Sequence, residues 1–309
     1  MSFLYWLEDL RNPIFDFIFS VITLFGEETI FMAVGMIIFW CLNKYDGYYL
    51  LCVGFFGTLI NQFLKITCRI PRPWVKDPNF TIVESAREAA GGYSFPSGHT
   101  QVSVGLFGGI ARRSKQKILR GVMIALCVLV PFSRMYLGVH TPWDVAVSVC
   151  IALILIFVLH PLFQRAEKDA RVMYGILGVL SAIVVAYLLY VSLFPFPKSV
   201  YLEENIHNLD SARENAYTLL GCMAGLLVLF PVERKWIRFE TKAVLWVQIV
   251  KVVGGLLLIL AVKEGLKMPL DTLFGGHMIA RSVRYFFVVL MGGLLWPLTF
   301  RFFSKIGQS

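Results

Sequence analysis

Ten apolar runs, near 13–25, 28–42, 46–66, 99–111, 118–132, 143–163, 172–194, 215–231, 243–262 and 282–303, leave this chain very little room to be anything but a membrane protein. A bilayer core of roughly 30 Å takes about 20 apolar residues as a helix. Every backbone polar group must be satisfied inside the lipid, which a helix does within its own segment. Composition agrees: 57% of the residues are hydrophobic, only 16% are charged, and mean hydropathy is +0.69. No soluble core of a 309-residue chain accommodates that. The expected fold is an all-α polytopic bundle, in which the first and fourth runs are short for a full crossing.

The net charge of +9 is not the footprint of a nucleic-acid binder, because of where the charges lie. Arg112, Arg113, Lys115, Lys117 and Arg120 occupy one short loop without an acid, and Arg234, Lys235, Arg238 and Lys242 face only two glutamates in another. Such loops stay in the cytoplasm. Alternating ten spans from them places both termini in the cytoplasm and puts the acidic stretch 201–214 outside. Residues 1–11 have neither a cationic leader nor a cleavage site, so they read as a short interfacial helix carried by Phe3, Leu4, Trp6, Leu7 and Leu10. The six cysteines form no Cys-x-x-Cys and are expected as free thiols.

Three polar clusters interrupt the apolar pattern, and the same topology brings all of them to the outer face. In the first, Lys65 closes the third run and Arg72 follows in Arg69-Ile70-Pro71-Arg72-Pro73, where the prolines enforce an extended turn. Two cations can then converge on one anion, although a single lysine or arginine at a span end commonly just snorkels. In the second, Pro96-Ser97-Gly98-His99 opens an apolar helix. Ser97 fits an N-cap, and the amides beyond it, Gly98 first, suit phosphate oxygens. A histidine in the first turn of a membrane helix is costly unless used. The third holds Ser133-Arg134 and then His140-Thr141-Pro142-Trp143-Asp144. Thr141 and Asp144 read as a capping box. Asp144 can also accept from one nitrogen of His140 and aim the other at phosphorus.

Lys-x6-Arg-Pro, Pro-Ser-Gly-His and Ser-Arg-x5-His-x3-Asp occur together without a gap or substitution. The chain resembles the type 2 phosphatidic acid phosphatase (PAP2) superfamily of membrane phosphatases over about residues 12–163. The resemblance implies a six-span catalytic unit at 12–163, preceded by the interfacial helix 1–11 and followed by about four further spans at 164–309. It implies a metal-free, cofactor-free hydrolysis of a lipid phosphomonoester or diphosphate. His140 would attack phosphorus to give a phosphohistidine, Asp144 would orient it and His99 would protonate the leaving oxygen. Lys65, Arg72, Ser97, Gly98 and Arg134 would hold the phosphoryl oxygens. The expected partners are a lipid phosphate and membrane lipids, with no nucleic acid and an oligomeric state left open. The expected location is the plasma (inner) membrane of a bacterium with the site extracytoplasmic. A lipid-linked phosphotransferase, or a lipid transporter or binding protein that keeps the pocket without turnover, are the competing readings. Residues 74–95, bounded by Pro73 and Pro96, read as a lid or rim over the pocket, with a turn or two of helix at 84–90.

Overall fold

The computed structural model describes residues 1–201 and 203–302. Leu202 and residues 303–309, the end of the expected C-terminal region, lie outside them. All regular structure among the described residues is helical, and within those residues every apolar run falls mainly on helix. The runs up to residue 66 are α2 (Pro13–Leu24), α3 (Glu28–Cys41) and α4 (Lys44–Cys68), after α1 (Ser2–Asp9). A short turn α5 (Pro73–Lys76) follows. The fourth run is a broken helix: α6 (Gly98–Ser103), a π-helical turn Val104–Gly108, and α7 (Gly109–Arg113). Then come α8 (Lys117–Tyr136), α9 (Pro142–Lys168), α10 (Ala170–Leu193), α11 (Glu203–Val232), α12 (Leu245–Gly265), α13 (Lys267–Leu273) and α14 (Ile279–Leu290). Asp210 and Glu214, expected in an outer loop, belong to α11.

The chain divides into two compact units, residues 1–32, 49–161 and 202–208 in one and 33–48, 162–201 and 209–309 in the other. All three polar clusters belong to the first. In the second, α11 and α14 cross with almost no side chain between them. A Cβ on Gly221 would lie 2.1 Å from the Ser282 carbonyl oxygen and one on Gly225 2.7 Å from the Val289 side chain. Small residues four apart permit that approach, on which helix association in lipid depends. Ser282 seals the crossing by donating to the Tyr217 carbonyl at 2.6 Å.

Counting the first two runs as separate crossings puts the amino terminus on the face opposite the pocket; the structure differs. The Tyr5 hydroxyl donates to Asp77 Oδ2 at 2.9 Å, and the Thr81 amide donates to Glu8 Oε1 at 3.0 Å. Arg11 donates to the Thr81 carbonyl at 2.8 Å and to the Tyr136 carbonyl at 3.0 Å. Helix α1 therefore lies on the 74–95 segment, on the pocket's own face, and α2 starts there. Helix α4 reaches the pocket with its C-terminal end, so it starts at the opposite face, immediately after α3. With 12 and 14 residues, α2 and α3 are each too short for a bilayer at 1.5 Å per residue. They qualify together as one span bent by 46°. Loop charge could not reveal this, because the break Phe25-Gly26-Glu27-Glu28 looks like any short polar connection. Among the described residues, seven single helices are long and apolar enough to cross, and up to eight spans result if the bent pair is one. The shorter 98–113 helix packs along α8. The amino terminus and the pocket thus share a face, where two separate crossings for α2 and α3 would part them, and the described residues give up to eight crossings in place of the expected ten.

Candidate active site

The last turn of α4 and the extended turn after it deliver the first two cations, Lys65 and Arg72. Arg72 is buried, and its guanidinium is held by carbonyls on both sides: Nε donates to Gly92 at 3.0 Å, Nη2 to Gly91 at 2.8 Å and Nη1 to Val139 at 2.9 Å. Lys65 Nζ donates to the Tyr93 carbonyl at 3.2 Å. The glycine-rich stretch 91–93 is thus the bracket that converges both cations. That stretch is itself tied down, since the Ser94 amide donates to the Ile70 carbonyl at 2.8 Å. The rest of 74–95 is packed: Ala86 and Ala90, in two 3-10 turns, join Tyr136, Leu137 and Val139 in one apolar cluster flanked by Trp74 and Val83.

Arg134 closes α8 from the other side and is 0% exposed. Its Nη1 donates to Thr23 Oγ1 at 2.7 Å, while Nε and Nη2 have no hydrogen-bond partner among the described residues. His99, in the first turn of α6, likewise keeps a buried, unpartnered Nε2. Ser97 caps α6, its hydroxyl accepting from the Thr100 amide at 3.4 Å, and its own amide donates to the Asp144 carbonyl at 3.2 Å. That bond joins the second cluster to the third. A Cβ on Gly98 would meet nothing within 4 Å, so space is open above its backbone.

His140 sits between α8 and α9, 2% exposed. Arg72 Nη1 lies 2.9 Å from its Nε2. A guanidinium only donates, so Nε2 accepts and the ring proton belongs on Nδ1. Nδ1 faces Asp144 Oδ2 at 3.5 Å. Burial, and then the charges of Arg72, Arg134 and Lys65, push the His140 pKa well below the usual histidine value. The ring is therefore neutral at neutral pH, as a nitrogen nucleophile requires. Asp144 does the capping job foreseen for it: Oδ2 accepts from the Thr141 amide at 2.7 Å and the Asp144 amide donates to Thr141 Oγ1 at 3.3 Å, completing the cap beside His140.

One partner in this network has no signature in the sequence. Ser94 Oγ donates to Asp144 Oδ2 at 2.5 Å, with both side chains buried. A serine in a glycine-rich turn is usually unremarkable, and only the fold brings it fifty residues forward onto the carboxylate. Thr23, on α2, was equally invisible. Among the described residues no group of three or more His, Cys, Asp or Glu side chains is placed to hold a metal ion.

These eight positions, Lys65, Arg72, Ser97, Gly98, His99, Arg134, His140 and Asp144, therefore come from three separate segments into one buried polar site. The sequence model described as the PAP2 superfamily matches residues 46–168, which contain all eight. A second, described as a PAP2 superfamily phosphatase transmembrane extension, matches 217–308. Phosphatidylglycerophosphatase B of Bacillus subtilis (strain 168) is 30% identical over 177 residues, covering 52% of this chain and 80% of that protein. The chain belongs to the PAP2 superfamily. It is also 30% identical over 160 residues to a probable sphingosine-1-phosphate phosphatase of Dictyostelium discoideum, covering 48% of this chain and 38% of that one. With undecaprenyl-diphosphatase BcrC of Bacillus subtilis (strain 168) it shares 31% over 104 residues, 34% of this chain and 51% of the relative. The match thus spans from over a third to about half of the length of these two relatives. The C-terminal extension match covers the chain from within α11 onward, a feature of PAP2 phosphatases that no motif there betrays.

Proposed function

We propose that this integral membrane protein hydrolyses the phosphate of a membrane lipid, monoester or diphosphate, through a phosphohistidine on His140, at the extracytoplasmic face and without a metal. The observation that carries the reading is the buried set of donors around His140. The charges of Lys65, Arg72 and Arg134 act on both histidines. Among the described residues, Arg134 Nε and Nη2 and His99 Nε2 are buried without partners. Buried polar atoms left unpaired cost about 1–3 kcal/mol each, and a phosphoryl group supplies acceptors for the Arg134 donors and negative charge beside the three cations.

In the first step Arg72 Nη1 turns from His140 Nε2 to a phosphoryl oxygen. The freed Nε2 lone pair forms the N–P bond as the P–O bond to the lipid breaks. His99, protonated once the phosphate's negative charge is beside it, gives its proton to the leaving oxygen. Asp144, held by Ser94 and the Thr141 amide, stabilises the positive charge that develops on the His140 ring. In the second step His99 takes a proton from water as that water attacks phosphorus; the N–P bond breaks and phosphate leaves. Phosphoryl transfer asks mainly for such positioning and charge neutralisation.

The extracytoplasmic side is supported by Arg112, Arg113, Lys115, Lys117 and Arg120, which lie toward the end of α8 opposite Arg134 without an acid among them. A lipid substrate suits a site at that membrane boundary, where its tail stays in lipid while the phosphate enters the pocket; a soluble ester lacks that anchoring, which is worth about 0.8 kcal/mol per CH₂ removed from water. Purified protein in detergent should release phosphate from at least one of a panel of sphingoid-base, polyprenyl and glycerolipid phosphates in the presence of EDTA. It should act at least 100-fold more slowly on a water-soluble ester, a factor of about 2.7 kcal/mol. No release from any lipid, or release only with added magnesium, would contradict the reading.

A further inference from the structure

The first crossing supplies a wall of the pocket from outside the family-matched segment 46–168. Asp16, Phe19, Thr23 and Gly26 recur three and four residues apart, so one face of α2 and of the turn that follows it is presented to α8 and α6. Asp16 accepts from the Tyr136 hydroxyl at 2.8 Å. The Phe19 and Tyr136 ring centroids are 4.4 Å apart. Thr23 Oγ1 accepts from Arg134 Nη1 at 2.7 Å. At Gly26 an added Cβ would stand 2.9 Å from the His99 Cβ and 3.0 Å from its carbonyl oxygen. The bent span is therefore pressed against both clusters, and Thr23 has no slack along it.

A guanidinium is a planar fork whose Nε and Nη2 hydrogens form one parallel edge, the edge that grips two oxygens at once. In Arg134 that edge is the unpartnered one, and Thr23 occupies the remaining nitrogen. We infer that Thr23 is a positioning residue for Arg134: by holding Nη1 it turns the Nε/Nη2 edge into the pocket, where it receives two oxygens of the substrate's phosphoryl group. This rests on the phosphatase reading for its substrate, but the anion site can be probed without turnover.

Vanadate, a phosphate mimic, is the probe, with binding measured by calorimetry alongside steady-state kinetics on a lipid phosphate. Thr23→Val keeps the volume and removes the acceptor. It should weaken vanadate binding and lower kcat/KM by about tenfold or more, since an unpaired buried donor costs on that scale, whereas Thr23→Ser should recover to within about threefold of wild type. In an Arg134→Lys background, where Nη1 no longer exists, Thr23→Val should add less than a further twofold change, the mark of action through that residue. Thr23→Ala, which buries no new methyl group, gives the same reading if Thr23→Val does not elute as a folded, monodisperse protein. Equal vanadate affinity in wild type and the folded Thr23 variant, or an undiminished Thr23→Val penalty in the Arg134→Lys background, would overturn the role of Thr23. A wild-type protein that binds vanadate but releases no phosphate from any lipid would contradict the phosphatase reading instead.

Discussion

Asp144 carries two demands on one oxygen. Its Oδ2 closes the helix cap through Thr141, receives Ser94, and faces His140 Nδ1. Asp144→Asn puts an amide among these donors and loses the acceptor that favours the proton on Nδ1. We expect kcat to fall by about 10⁴, the scale seen when an orienting aspartate loses its charge, together with a lower Tm from the damaged cap. Ser94→Ala separates the two demands, because it leaves the cap intact; kcat should fall by about tenfold at nearly unchanged Tm, one buried donor's worth. A lower Tm at full rate in both variants would reduce Asp144 and Ser94 to structural roles. Lys65, Arg72, His99, Arg134, His140 and Asp144 were readable in the sequence because charge and histidine are conspicuous in apolar surroundings. Ser94 and Thr23 were not, because a hydroxyl in a turn or on a membrane helix is chemically ordinary until the fold supplies its partner.

Apolar periodicity located every long helix, since lipid leaves the backbone no alternative. It said nothing of how many crossings those helices make. Whether α2 and α3 are two spans or one bent span depends on where α1 docks, and the bonds from Tyr5, Glu8 and Arg11 to Asp77, Thr81 and Tyr136 favour one. The same bonds make α1 a brace for the segment over the pocket. Removing residues 1–9 should leave kcat within about twofold, because the reacting groups lie elsewhere, and raise KM about three- to tenfold, as the braced segment loses two or three partly exposed hydrogen bonds. Steady-state kinetics on a long-tailed lipid phosphate checks this; an unchanged KM would show that α1 does not support substrate binding.

For the whole molecule, the structure ties the amino terminus to the pocket's face, and the proposed function has that face outward, on the charge of the basic loop at 112–120. In a background without its six cysteines, single cysteines at Ser2 and Asn79 should react with a membrane-impermeant maleimide in intact cells, and one at Lys115 only after permeabilisation. Labelling of Lys115 alone would invert the topology, and labelling of Asn79 without Ser2 would restore two separate crossings for α2 and α3. The spans after α9 carry no part of the eight-residue site, so they were legible only as apolar length. The claim on which the account turns is that His140 itself becomes phosphorylated. Rapid quenching of the protein with a ³²P-labelled lipid phosphate, followed by peptide mapping, tests it most directly. The account predicts an alkali-stable, acid-labile label on the peptide containing His140 that disappears in His140→Ala together with turnover. Label on another residue, or a His140→Ala protein that still turns over at more than about a tenth of the wild-type rate, would contradict it.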